Sequence, residues 1–142
     1  MRGRFRALCV LACFALTAVV SAQEGHPLVG SWHGNWGLNA KERHDLTLIV
    51  DYTADGAGIT GLINPGFDHA TLQNFVVDIP KPTDWNVKFE VELKDKAGKV
   101  TRYLAEGKLD KIGSDRRTLI GSWTAGTMKG DFTLTRDRDY SR

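Results

Sequence analysis

The sequence predicts an all-β chain folded as an eight-stranded antiparallel up-and-down (meander) barrel, and three observations carry that expectation. From Val29 onward apolar residues recur at every second position, not at the three- and four-residue spacing of a helix. Turn-forming clusters punctuate the pattern at hairpin spacing: Asp55-Gly56, Asn64-Pro65-Gly66, Ala97-Gly98, Gly113-Ser114-Asp115 and Ala125-Gly126. Six glycines, Gly30, Gly34, Gly61, Gly107, Gly121 and Gly130, share the apolar phase of their strands. Glycine there weakens the strand but lets a sheet bend sharply and leaves room for a large neighbour. A two-sheet sandwich would bury the same faces, but the inward glycines favour a barrel, which also removes both sheet edges.

Each strand follows from its own pattern. Residues 29–36 set Gly30, Trp32, Gly34 and Trp36 on one face. Residues 44–52 turn Leu46, Leu48, Val50 and Tyr52 inward and Asp45, Thr47 and Asp51 outward, with Ile49 the exception. In 58–63, Ile59, Gly61 and Ile63 fall together. In 70–79, Phe75, Val77 and Ile79 are in phase while Ala70 and Leu72 are in the other, which predicts a bulge near Gln73-Asn74. The clearest strand is 85–94, where Trp85, Val87, Phe89, Val91 and Leu93 alternate with Asn86, Lys88, Glu90, Glu92 and Lys94. Residues 99–109 align Tyr103, Ala105, Gly107 and Leu109; 118–125 align Leu119, Gly121 and Trp123; 128–136 align Met128, Gly130, Phe132 and Leu134.

Residues 1–22 read as a secretory leader. Arg2, Arg4 and Arg6 form a positive start, 7–20 is a charge-free apolar run, and Val20-Ser21-Ala22 supplies the small residues of a cleavage site. The run is short for a membrane span of about 20 residues. The expected product is a single domain, 23–142, secreted or periplasmic, with no membrane span left after cleavage. The 142-residue chain is 42% hydrophobic and 25% charged, the composition of one globular domain. Its two cysteines, Cys9 and Cys13, belong to the leader, so thiol chemistry and disulfides are excluded from the mature domain. Three of the 19 basic residues also leave, and the remaining 16 face 17 acidic ones. Arg116, Arg117, Arg136 and Arg138 are interleaved with Asp115, Asp137 and Asp139, so no basic patch invites nucleic acid.

Gly30-Ser31-Trp32 opening the first strand, a meander, and Arg136 ending the last strand after Thr133-Leu134-Thr135 resemble the calycin superfamily of lipocalins and avidins. In that superfamily a G-x-W motif opens strand one, and its Trp closes the barrel floor under a basic side chain from the final strand. The resemblance implies a structural floor of Gly30, Trp32 and Arg136. Ile59-Thr60-Gly61 also looks like the avidin pattern, and Ile120-Gly121-Ser122-Trp123 echoes the first motif. The chain departs from lipocalins in lacking a disulfide and a C-terminal helix. It resembles a group of small exported bacterial barrel proteins that are similar to calycins in form.

Eight aromatics fall on the inward phase: Trp32, Trp36, Tyr52, Trp85, Phe89, Tyr103, Trp123 and Phe132. An eight-stranded barrel is just wide enough to be filled by its own side chains or to hold one small ligand. Rigid aromatic surface with a polar handle suits a pocket wall, so Trp36, Tyr52, Trp85, Phe89, Tyr103 and Trp123 are the candidate ligand-binding residues. His26, His33, His44 and His69 lack zinc-site spacing, although His33 near His44 or Asp45 leaves room for an adventitious divalent ion. No serine lies in a nucleophile motif. Asp45, Asp51, Glu90, Glu92, Glu106 and Asp131 all fall on the outward phase. No catalytic residue, metal or cofactor is expected, and the expected partner is a small apolar or amphipathic molecule. Two alternatives stand: a cyclase- or isomerase-type barrel enzyme using Tyr52, Tyr103 or Arg136 as proton donor, and a filled barrel serving as a protein-interaction module. The size and polarity of the interior separate them.

Overall fold

The computed structural model describes residues 25–64 and 69–138, so the leader expected over 1–22, and Pro65 and Gly66 of one expected turn, lie outside the described residues. The described chain is all β: β1 (Gly30–Gly37), β2 (Arg43–Tyr52), β3 (Ile59–Ile63), β4 (Ala70–Thr71), β5 (Gln73–Lys81), β6 (Asp84–Lys94), β7 (Val100–Asp110), β8 (Thr118–Ala125) and β9 (Met128–Arg136). They form one antiparallel sheet in the order β4-β3-β2-β1-β9-β8-β7-β6-β5. Because β4 and β5 stand at opposite ends of that order yet follow each other in the chain, the sheet curls into a nearly closed barrel.

The strand count is nine, not eight, and the reason lies at the expected bulge. Residues 70–81 start on β3, with Ala70 opposite Ile63 and Thr71 opposite Leu62. Leu72 still donates its N–H to Gly61 O at 2.8 Å, and from Gln73 the chain pairs with β6 instead. Asn74 takes a positive φ of 50°, and the register shifts between Gln73 and Val76. The strand must change neighbours to carry the sheet around, and the irregularity is where it does so. Leu72, out of phase with Phe75, is thereby buried in the core.

At the other seam β1 pairs with β9, setting Trp32 opposite Arg136 and Trp36 opposite Phe132. The expected alternation holds along β6: Val87, Phe89 and Val91 are buried while Lys88 and Glu92 are exposed. Ile49, the odd residue of β2, does face solvent. Tyr52, Ile79 and Met128, expected in the inward phase, are exposed at or near the ends of their strands, where the sheet no longer covers them. Inward glycines accommodate the rings. A Cβ at Gly130 would lie 2.7 Å from Trp123 Cζ2, closer than packed carbon atoms approach.

The core is entirely apolar. Leu28, Trp32, Leu48, Val50, Val87, Leu109, Leu119 and Leu134 are essentially inaccessible, and no polar or charged residue among those described is buried. Each such side chain contributes about 1.5–3 kcal/mol by leaving water. Trp32, the largest of them, is fully buried. Trp32→Ala is expected to lower stability by about 3–5 kcal/mol, read as a lower urea midpoint by circular dichroism; an unchanged midpoint would remove Trp32 from the core.

Candidate functional site

The two ends of the barrel are built differently. Up-and-down connectivity brings the end of β1, the starts of β2, β7 and β9, and the ends of β6 and β8 to one mouth. Register fixes which side chains meet there: Trp36 lies opposite Phe132, Val91 opposite Tyr103, and Ala105 opposite Trp123. Three rings form a closed triangle. Trp36 stands 5.4 Å from Tyr103 and 5.4 Å from Trp123, and Tyr103 stands 5.3 Å from Trp123, with interplanar angles of 83°, 73° and 64°. Edge-to-face contacts of this kind contribute about 0.5–1.5 kcal/mol each beyond area burial. Trp123 is buried, while Trp36 and Tyr103 are half-buried.

This triangle borders an open cavity of about 50 Å³, lined also by Phe89, Phe132 and aliphatic residues. Such a void takes one or two waters, so most of the interior is filled. Asn64 supplies the one amide of the lining, and its Oδ1 accepts from Thr47 N–H at 3.3 Å. Among the described residues no carboxylate, histidine, lysine or arginine lines the cavity. Phe89 links it to the deeper core, with ring centroids 5.9 Å from Phe132 and 6.2 Å from Phe75.

The opposite end is closed by the strap preceding β1. A buried segment outside regular structure must satisfy its carbonyls some other way. Three successive carbonyls accept from side chains: Pro27 O from Arg117 Nη1 at 3.2 Å, Leu28 O from Trp32 Nε1 at 2.9 Å, and Val29 O from Arg136 Nε at 3.1 Å. Arg117 also donates through Nε to Ile112 O at 2.6 Å. The Arg136 guanidinium lies so close over Gly30 that a Cβ there would sit 2.8 Å from Nε, and Gly30 has a φ of 137°. Only glycine suits both conditions.

Of the six candidate ligand-binding residues, Trp36, Phe89, Tyr103 and Trp123 come together at the mouth, and Tyr52 and Trp85 do not line that cavity. Those two belong to the strap end. Tyr52 Oη accepts His26 N–H at 2.8 Å, and Trp85 donates to Pro82 O at 3.1 Å while packing edge-on to His26, 5.5 Å between centroids. Gly30, Trp32 and Arg136 lie together at that same end, around the strap. Sequence reasoning missed Leu28 and Arg117. The apolar pair Leu28-Val29 before the first strand is a signal for the former; Arg117, in a loop, has none.

The histidines are dispersed. His33 lies opposite Thr47 and bonds Asp137 at 2.6 Å on the surface, and His44 packs against Trp36 at 5.3 Å. Among the described residues no three metal-binding side chains cluster. The strand carboxylates are engaged outside the barrel: Asp131 by Arg43, Glu90 and Glu92 by Arg102, and Glu106 by Lys88. Compared with known proteins, the chain matches no protein-family model and no curated protein.

One group at the strap end ties stability to pH. His26 Nδ1 accepts Leu28 N–H at 3.2 Å, which only an unprotonated Nδ1 can do, and burial holds its pKa below the ordinary 6.5. The unfolded chain therefore takes up this proton first. The stabilising contribution is full above about pH 6.5 and is lost as pH falls through the lower folded-state value. The urea midpoint is expected to fall between about pH 7.5 and about pH 5, with His26→Gln flattening part of that decline. An identical pH profile in the variant would clear His26 of this role.

Proposed function

We propose that this chain is an exported, calycin-like barrel that binds a small, partly apolar molecule at its mouth without transforming it. The observation that carries the reading is the Trp36–Tyr103–Trp123 triangle around an open apolar cavity in an otherwise filled interior. Aromatic walls with few polar groups are the usual furniture of a small-molecule site. The cavity's small size limits the occupant to a compact body or to the tip of a longer one. A catalytic reading receives no support from the described lining, in which Tyr103 is the one ionisable side chain. Of the other proton-donor candidates, Tyr52 and Arg136 serve the strap end.

A second reading, an interaction module, draws on the outer face, where Val76, Leu104 and Ile120 are about half exposed. Native mass spectrometry of the protein purified from its own host, with tryptophan fluorescence, tests the two. The binding reading expects a co-purifying small molecule whose re-addition quenches fluorescence. Trp36→Ala is expected to weaken that binding roughly tenfold or more, as loss of an aromatic anchor does, with the circular dichroism spectrum retained. A clean apo mass and no quenching across a broad panel of apolar compounds would leave the interaction module as the better account.

A further inference from the structure

Three hairpin turns stand side by side on the rim of the mouth, because the strand order β2-β1-β9-β8-β7-β6 makes their strands neighbours. Residues 38–42 join β1 to β2, 126–127 join β8 to β9, and 95–99 join β6 to β7. These turns and the strand ends beside them carry Lys41, Lys94, Lys96, Lys99 and Lys129, all exposed and none in an ion pair among the described residues. Their own carboxylates are Glu42 and Asp95, and Asp95 caps its turn, accepting from the N–H groups of Ala97 at 2.9 Å and Lys99 at 2.8 Å. Among the lysines stand Leu38, Val100 and Met128, 46%, 54% and 45% exposed. The strap end is different: Arg117 and Arg136 hold strap carbonyls, Arg138 pairs with Asp115 and Lys108 with Asp84, and Asp51 and Asp55 stand exposed.

We infer that this rim docks on a membrane surface that carries anionic lipid, with the lysine ammonium groups on the headgroups and Leu38, Val100 and Met128 dipping between them. The inference uses the rim alone and holds whether or not the cavity takes a ligand. Charge complementarity carries it: five lysines against two carboxylates leave the three turns cationic, and each lysine near an anionic leaflet strengthens binding about fivefold. A lysine is a compact charge on a flexible stem, so it meets a mobile headgroup without needing a fixed geometry. The apolar side chains select a bilayer over a dissolved polyanion. An interfacial surface buries its apolar side about 5–10 Å into the headgroup region, whereas a polyanion in water would leave Leu38, Val100 and Met128 wet.

Co-sedimentation with vesicles tests this, using protein purified from its own host. One set of vesicles is phosphatidylcholine alone; the other holds about one-third phosphatidylglycerol. Binding is expected to the mixed vesicles only, and to weaken as salt rises from about 0.1 M to about 1 M, where the screening length falls to about 3 Å. Lys96→Glu with Lys99→Glu is expected to weaken binding roughly thirtyfold or more. Lys81→Glu with Lys111→Glu makes the same change in net charge on exposed residues at the strap end and is expected to shift binding less than about threefold, with circular dichroism unchanged in both. Leu38→Ser with Met128→Ser is expected to weaken binding roughly tenfold, through lost apolar burial. No binding to the mixed vesicles, equal binding to both kinds, or equal loss in the two lysine pairs overturns the inference. Vesicle binding undiminished by Leu38→Ser with Met128→Ser overturns the bilayer and leaves a soluble polyanion as the partner.

Discussion

The pairing of the first strand with the last is the interaction on which both ends of the barrel depend. It joins segments about a hundred residues apart, and its register sets Trp32 beside Arg136 and Trp36 beside Phe132. The first pair contributes to the sealed end and the second to the mouth. Side chains alternate across a strand, so a slip of one residue would turn both tryptophans to solvent and both exposed neighbours inward. No local signal in β1 alone excludes that slip. The barrel excludes it, because Trp32 in its proper place is fully buried and bonds the strap, whereas His33 would take its place in a core that holds no polar or charged residue among those described.

Given that register, the interior becomes a question of volume. Inward glycines free space, and rings occupy it: Trp123 over Gly130, and Phe132 close against Gly121. The strap fills the other end with Leu28 and has its carbonyls satisfied by Arg117, Trp32 and Arg136. What is left over collects at the mouth, where three rings stand edge to face. Such rings cannot tile a curved surface without gaps. The cavity is thus a consequence of closing a short sheet with few, large side chains, and its position is set by which end the strap plugs.

Much of this was legible in the sequence. The two-residue period gave the strands and their inward faces, the phase change before Phe75 predicted the irregularity seen at Leu72 to Asn74, and the outward carboxylates were visible by parity. Parity was insufficient in two places. It ranks a residue as inward or outward but does not say at which end of the barrel it stands, so Tyr52 and Trp85 were grouped with Trp36 although they flank the strap. It also does not see irregular segments, and the strap and Arg117 are irregular. The division of 70–81 into two strands escaped because it depends on which neighbour each half bonds, a property of closure and not of any local pattern.

The exclusion of charge from the interior has a chemical consequence. Proton transfer at neutral pH calls for a carboxyl or imidazole whose environment shifts its pKa toward the working range. The environments here act in the other direction. Hydrogen bonds from Arg102 and then Asn74 hold the Glu90 carboxyl below the usual carboxylate range, and they do so on the outer face, away from the cavity. Asp84 raises Lys108 in the same exposed setting, fixing it as a cation. Both shifts accompany an ion pair that braces β6 against β7. Among the described residues the cavity wall presents aromatic and aliphatic surface and exposes no polar atom. A wall of that kind offers shape and dispersion contacts and no group to move a proton, and that is the physical ground for the proposal that it holds a molecule and leaves it unchanged.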